Sequence, residues 1–240
     1  MLKKNEIKLS ILIPCYNEQN TIKEIIKKVT YYLQLYSFNN YEILVVDDFS
    51  NDGTSKILEQ ISLEENIKIF SHKENLGKGA AVHTGIENST GDILIIQDAD
   101  LEYDPSDYDK LLRPFFEADA DIVYGSRFIG GGKYVRIHFF WHYLANKIIT
   151  FVCNMFTNLN LTDVETGYKL FKTSCLNNIE LKEKSFSFEP EITIKLAKKK
   201  FKFFEVPISY NGRSYNEGKK IGLKDAFIAF KAIFIYSIKR

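Results

Sequence analysis

Apolar residues in the first half of the chain fall into short, nearly unbroken runs, each closed by polar or turn-forming residues. Leu9-Ser10-Ile11-Leu12-Ile13, Glu42-Ile43-Leu44-Val45-Val46-Asp47, Ile67-Lys68-Ile69-Phe70 and Asp92-Ile93-Leu94-Ile95-Ile96 are such runs. A strand with one wet face alternates apolar and polar positions, whereas a strand covered on both faces does not, so these runs predict buried parallel strands. Between the first two, Ile22, Ile25, Ile26, Val29 and Leu33 recur at helical spacing, and after the second Ile57, Leu58 and Ile61 do the same. Strand and helix alternate through the first 125 residues, which predicts an α/β sandwich with a mainly parallel central sheet.

Ligands of such sheets sit outside the carboxyl ends of the strands. Those ends read Pro14-Cys15-Tyr16-Asn17-Glu18, Asp47-Asp48-Phe49-Ser50-Asn51-Asp52-Gly53 and Gln97-Asp98-Ala99-Asp100, so several carboxylates are expected on one edge. Asp98, Asp100 and Glu102 stand at i, i+2 and i+4, and in an extended chain their carboxylates leave on one face. Acidic groups so placed repel unless a cation sits among them, and hard oxygen donors suit Mg2+ or Mn2+. Asp47 has two readings: it caps the helix start that follows, or it accepts hydrogen bonds from a ribose or base. Gly77-Lys78-Gly79-Ala80-Ala81-Val82 lacks the third glycine of a dinucleotide fingerprint and lies mid-domain, which argues against NAD binding. It reads as backbone approaching a ligand with Lys78 as anion partner, or as a turn and helix start.

Composition adds a charge asymmetry. Residues 1–130 hold 13 Lys+Arg against 22 Asp+Glu, and residues 131–240 hold 19 against 9. An acidic half suits a divalent cation, and a basic half suits phosphates or an anionic membrane surface. Cys15, Cys153 and Cys175 are odd in number and lack metal-ligand spacing, so no disulfide framework or zinc site is expected, and a cytoplasmic compartment is. The first apolar run is too short for a signal segment, and no stretch offers the about 18 uncharged apolar residues of a membrane span. Two segments are nonetheless unusually apolar. Arg136 to Phe156 carries Phe139, Phe140, Trp141, Tyr143, Leu144, Ile148, Ile149, Phe151, Val152 and Met155, and Lys224 to Arg240 is apolar almost all round, with Lys224, Lys231 and Lys239 near one side. They predict helices lying in a membrane interface; the alternatives are packing on the sheet or against a second copy in a homo-oligomer.

Taken together, Ile13-Pro14-Cys15-Tyr16-Asn17-Glu18, Val45-Val46-Asp47-Asp48-Phe49-Ser50-Asn51-Asp52-Gly53-Thr54, Asn75-Leu76-Gly77-Lys78-Gly79, Asp98-Ala99-Asp100 and Gly125-Ser126-Arg127 resemble, in order and spacing, family 2 glycosyltransferases. Asp163-Val164-Glu165-Thr166-Gly167-Tyr168, Phe188-Glu189-Pro190-Glu191, Glu205-Val206-Pro207, Arg213 and Glu217-Gly218-Lys219-Lys220 extend the likeness over nearly the whole chain. It looks like the branch with dolichyl-phosphate mannose synthase and bacterial polyprenyl-phosphate glycosyltransferases.

The resemblance implies a GT-A fold, a Rossmann-like three-layer sandwich over residues 1–215, followed by a C-terminal amphipathic helix at 216–240. Pro14, Tyr16, Glu18 and Asp47 would line the nucleotide pocket. Asp98, Asp100 and Glu102 would hold Mg2+ or Mn2+; relatives of the mannose synthase type can have Gln at the third position, where Glu102 adds a negative charge. Arg127, Arg213 and Lys220 would face donor and acceptor phosphates. The implied reaction is inverting transfer of a hexose from GDP-mannose or a UDP-hexose to a polyprenyl or dolichyl phosphate, by a protein peripheral on the cytoplasmic face of the membrane, with no nucleic-acid partner. A lipid phosphate is already anionic and needs no base, whereas a hydroxyl acceptor would need one, with Asp100 or Asp163 as candidates. The alternatives are a soluble enzyme acting on a saccharide or protein hydroxyl and a non-catalytic nucleotide-sugar binder. A nucleotidyltransferase is disfavoured because Pro14-Cys15-Tyr16 stands where its glycine-rich loop would be.

Overall fold

The first apolar run becomes a central strand whose side chains alternate between two cores. In β1 (Leu9–Cys15), Leu9, Ile11, Ile13 and Cys15 face one core and Leu12 faces the other. This computed structural model describes residues 4, 6–62, 66–130, 136, 139–213 and 223–238. Among them are α1 (Ile22–Leu35), β2 (Tyr41–Asp47), α2 (Thr54–Ile61), β3 (Ile67–Ser71), α3 (Lys78–Asn88), β4 (Ile93–Ile96), α4 (Tyr108–Glu117) and β5 (Ile122–Ser126). Then follow α5 (Phe140–Thr157), β6 (Lys169–Lys172), α6 (Phe188–Ala197), β7 (Phe203–Pro207) and α7 (Leu223–Ile238).

The sheet has seven strands in the order β3-β2-β1-β4-β6-β5-β7. Only β6 runs antiparallel to its neighbours, β4 and β5. Helices α1, α2 and α4 contribute to one core, and α3, α5, α6 and α7 to the other, which completes three layers. Pro14 fits inside β1 because it lies past the last rung of the ladder with β4, Leu12 opposite Ile96. Gly85 lets α3 settle on the sheet: a Cβ there would come within 2.0 Å of Leu12 Cδ1.

The two apolar segments each use one side for the core and leave the other exposed. Ile149, Thr150 and Cys153 of α5 and Ala229, Ala232, Ile233 and Tyr236 of α7 are buried. Trp141 (73%), Phe151 (64%), Phe227 (76%) and Ile238 (75%) remain exposed. Phe156 and Phe234 meet edge to face at 5.4 Å between centroids, so the two outer faces adjoin. No helix among the described residues is long and apolar enough to cross a membrane. The expected boundary at residues 215 and 216, together with Lys220 and Lys239, lies outside the described residues, and so does the side chain of Lys224.

Candidate functional site

The carboxyl ends of β1, β2 and β4 do bring their polar residues to one edge, through turns with left-handed residues at Asn17 (φ 55°), Phe49 (φ 64°) and Leu101 (φ 64°). The first two turns are sewn together. Asn17 N donates to Ser50 Oγ at 2.9 Å, Asn51 N to Asn17 Oδ1 at 2.9 Å and Glu18 N to Thr54 Oγ1 at 2.9 Å. Asp47 organises its own turn, accepting from Ser50 N (3.1 Å), Ser50 Oγ (2.5 Å) and Ser55 Oγ (2.8 Å). These bonds shape the turn itself; the helix that follows starts after Gly53 without a side-chain cap. Tyr16 is half-buried beside this edge, and Pro14 is buried within β1.

Leu101 alters the expected geometry of the acidic triplet. Its left-handed backbone turns the chain after Asp100, so the segment is not extended and the three carboxylates take separate partners. Asp98 binds Lys78 Nζ at 2.8 Å through Oδ1 and 3.1 Å through Oδ2. Asp100 Oδ1 accepts from Glu102 N at 3.1 Å. Glu102 is turned to a later segment: Tyr210 Oη donates to Oε2 at 2.8 Å and Arg213 N to Oε1 at 2.6 Å, while its carbonyl receives Asn211 N at 2.9 Å. Among the described residues no group of three His, Cys, Asp or Glu stands ready to hold a metal. Asp98 and Asp100 thus stand at the strand end, while Glu102, whose charge is felt at Asp100, anchors residues 210–213.

The pair still has the chemistry of a cation site. Burial, and then the charges of Glu102 and Asp98, push the Asp100 carboxyl up to about 8, the mark of a place short of positive charge. Mg2+ characteristically rests on one or two carboxylates and completes its shell with substrate phosphates and water, so two aspartates at an open strand end fit such an ion without a closed protein cage. Gly167 fixes where Asp98 points. A Cβ at 167 would lie 2.3 Å from Asp98 Oδ2 and 2.7 Å from the Tyr103 ring, and its N–H donates to Tyr103 Oη at 2.8 Å. The glycine is there for space, not for a left-handed backbone.

Lys78 begins α3 and reaches both Asp98 and Glu189 Oε1, the latter at 3.4 Å. Burial alone would lower its pKa, but Asp98 and Glu189 reverse this and hold the ammonium above its ordinary value. The flanking glycines serve a protein contact that the sequence did not reveal. Cβ atoms at Gly77 and Gly79 would come within 2.5 Å of Lys184 O and 2.4 Å of Glu183 O. Asp48 holds the same loop from the other side, accepting from Leu76 N (2.9 Å), Gly77 N (2.7 Å) and His72 Nδ1 (2.7 Å).

Arg127 and Asp163, both put forward as catalytic, are bonded to each other. Nε and Nη2 each donate to the carboxylate at 2.7 Å, Arg127 N adds a bond at 3.1 Å and Asn146 Nδ2 another at 3.0 Å. Asp163 is fully buried; burial would raise its pKa, yet Arg127 holds it below the ordinary value. A buried, ion-paired carboxylate held below its ordinary pKa is a poor proton acceptor, and the contacts of Asp163 in this structure hold Arg127. Nη1 of Arg127 has no hydrogen-bond partner among the described residues, and the guanidinium lies over the Tyr210 ring at 5.1 Å. Arg213 crosses the site from the other side, with Nη2 at 3.0 Å from Glu18 Oε2 and 2.7 Å from Asp100 O.

Two residues without an assigned role complete the cluster. Glu189, buried at the start of α6, feels the charges of Lys169, Lys78, Asp98 and Arg127. Glu165 has a buried Oε1 with no partner, and burial followed by Glu189 pushes its carboxyl up to about 8. Both sit in stretches already singled out in the sequence, Asp163 to Tyr168 and Phe188 to Glu191, but a glutamate at a helix start reads as solvated. Only the tertiary packing buries it.

The family model described as glycosyl transferase family 2 matches residues 10–179, well over half of the chain. The chain belongs to that family. The dolichol-phosphate mannosyltransferase of Pyrococcus furiosus is 30% identical to it over 217 residues, 90% of this chain and 60% of that protein. The polyprenol monophosphomannose synthase of Mycolicibacterium smegmatis is 26% identical over 220 residues, 88% of this chain and 80% of the relative. This family 2 chain thus spans less than two thirds of the archaeal relative. Among solved structures, glucosyl-3-phosphoglycerate synthase from Mycobacterium tuberculosis, in complex with Mn2+, UDP and phosphoglyceric acid, superposes with a TM-score of 0.70 at 16% identity, covering 98% of this chain and 80% of that one. Mannosyl-3-phosphoglycerate synthase from Rubrobacter xylanophilus gives 0.69 at 20% identity, covering 96% and 73%. At such identities the likeness concerns the fold, which is GT-A.

Proposed function

We propose that this family 2 protein transfers a hexose from a nucleotide-sugar to a polyprenyl or dolichyl phosphate at a membrane surface, with inversion at the anomeric carbon. The observation that carries the acceptor class is the adjoining aromatic face of α5 and α7. A patch holding Trp141, Phe151, Phe227, Phe234 and Ile238 is costly to leave in water, at about 1.5–3 kcal/mol per large side chain. Helix α5 carries Lys147 and His142 and no acidic residue, and the chain beyond residue 130 has a strong basic excess, which suits anionic lipid. The names of the curated relatives, which include a dolichol-phosphate mannosyltransferase and a polyprenol monophosphomannose synthase, support the same class.

In this reading Asp98 and Asp100 hold Mg2+ or Mn2+ with the donor diphosphate. When bound, the ion neutralises charge on the departing nucleoside diphosphate. Lys78 leans from α3 toward the same diphosphate, and Arg213 leaves Glu18 to meet it. Arg127, kept rigid by Asp163, offers Nη1 to the acceptor phosphate. That phosphate oxygen attacks the anomeric carbon as the bond to the diphosphate breaks, and because the oxygen is already anionic, no side chain has to remove a proton. Glu18, Tyr16 and Pro14 border the nucleotide, with Asp47 bracing the turn beneath it. Lys220, proposed for the phosphates, lies outside the described residues.

Radiolabelled GDP-mannose and UDP-hexoses, each offered with polyprenyl phosphate and Mg2+ or Mn2+, test the proposal by solvent partition. Label that passes into organic solvent only when protein, ion and lipid phosphate are all present is the expected result. Label transferred solely to water-soluble sugar or protein would favour a hydroxyl acceptor instead.

A further inference from the structure

The seat of Lys78 is tied to the C-terminal helix by the side chain of Tyr236. Tyr236 of α7 donates from Oη to Glu183 Oε1 at 2.9 Å, and Ser187 Oγ donates to the other oxygen of Glu183 at 2.5 Å. Residues 183–185 are the backbone on which the glycine loop rests: Ala80 N donates to Lys184 O at 3.1 Å, and the Cα atoms of Gly77 and Gly79 press so close that neither position has room for a Cβ. The same stretch continues into Phe186 and Phe188, whose rings stand 5.7 and 5.9 Å from Lys78 Nζ, and into Glu189, which pairs with it. From α7 to the ammonium there is thus a continuous path of tight contacts with little slack, because a glycine against a carbonyl cannot be repacked by a rotamer change.

We propose that Tyr236 and Glu183 are positioning residues for the donor site: their contact sets the 183–185 backbone, which sets the glycine loop and hence Lys78, so that the seating of α7 governs the affinity for a nucleoside diphosphate. The proposal rests on the reading of Lys78 as a donor-phosphate group. It gives the outer face of α7 a second consequence, since whatever holds that helix in place also holds the donor site in shape.

The test is binding of UDP and, separately, GDP in the presence of Mn2+, measured by calorimetry on the full chain without acceptor. Tyr236→Phe and Glu183→Ala are each expected to weaken binding by about 5-fold or more, the double variant being no weaker than Glu183→Ala alone. Val29→Ala separates positioning from general loss of stability, because Val29 of α1 is buried in the core on the other side of the sheet, away from α7 and residues 183–185. It should lower Tm at least as much as Tyr236→Phe while leaving nucleotide affinity unchanged. If wild type binds and both Tyr236→Phe and Glu183→Ala bind equally well, the positioning role is wrong; if the loss in each variant merely follows its Tm, Val29→Ala included, the contact is only structural. If wild type binds neither nucleotide with Mn2+, the donor-site reading itself fails and the proposal with it.

Discussion

Asp163 holds Arg127 side-on through Nε and Nη2, at 2.7 Å on each oxygen, from a position with no exposure to solvent. Replacing it with asparagine keeps the shape and removes the charge. Asp163→Asn should lower kcat/KM for transfer by about 100-fold or more and destabilise the fold by about 3–5 kcal/mol, because it strands a buried guanidinium. Added acetate should not restore turnover, and the pH profile of kcat should keep its shape. Loss of an alkaline or acidic limb in this variant would instead mark Asp163 as a proton acceptor.

Gly167 is predicted to be irreplaceable for a local reason. In Gly167→Ala the new methyl would meet Asp98 Oδ2 and the Tyr103 ring, so the carboxylate must turn away. Mn2+-dependent nucleotide binding should weaken by about 10-fold or more, with a stability loss of only about 1–3 kcal/mol. In an Asp98→Asn background the same alanine should cost little further affinity; calorimetry of the four proteins checks this.

Glu165 makes stability depend on pH. Its carboxyl is raised in the folded protein from an ordinary 4.5 to about 8, so the folded state holds the proton more tightly than the unfolded state. Its contribution is most favourable below pH 4.5 and is lost progressively as pH rises to about 8. Glu165→Gln should therefore gain Tm relative to wild type toward pH 8 and lose that advantage toward acid, as thermal melts across the range will show. A constant difference at every pH would contradict the assignment.

The outer face of α5 and α7 carries no folding role that its exposure would suggest. Trp141→Ser with Phe227→Ser should leave Tm nearly unchanged but reduce flotation with anionic vesicles at low salt. Each lost aromatic is worth up to about 2 kcal/mol of interfacial burial. Wild-type protein that fails to float with such vesicles would remove the membrane from the account.

The parallel strands β1, β2 and β4 were legible because a strand buried on both faces must be an unbroken apolar run; β3, expected to be buried in the same way, is instead an edge strand with Lys68 and Ser71 exposed. Strand β6 was not, since Lys169 and Lys172 bound it and a lysine within a strand reads as exposed; here Lys169 is fully buried opposite Glu189. Strand β7 was equally silent, being a half-buried edge. In the site, residue types were readable and geometry was not. Asp98 and Asp100 stand where the run of β4 ends, but the left-handed turn at Leu101 sends Glu102 to Tyr210 and Arg213, a contact more than a hundred residues away in sequence. Likewise Gly77 and Gly79 announced a close approach without saying that its object is the backbone of residues 183 and 184.

The most direct test of the account is the mass of the acceptor lipid. Polyprenyl phosphate recovered after incubation with the protein, a nucleotide-sugar and Mn2+ should have gained one hexose, with the nucleoside diphosphate released in equal amount. The gain should vanish in Asp100→Ala. A lipid of unchanged mass with every donor offered, or full transfer by Asp100→Ala, would contradict the account.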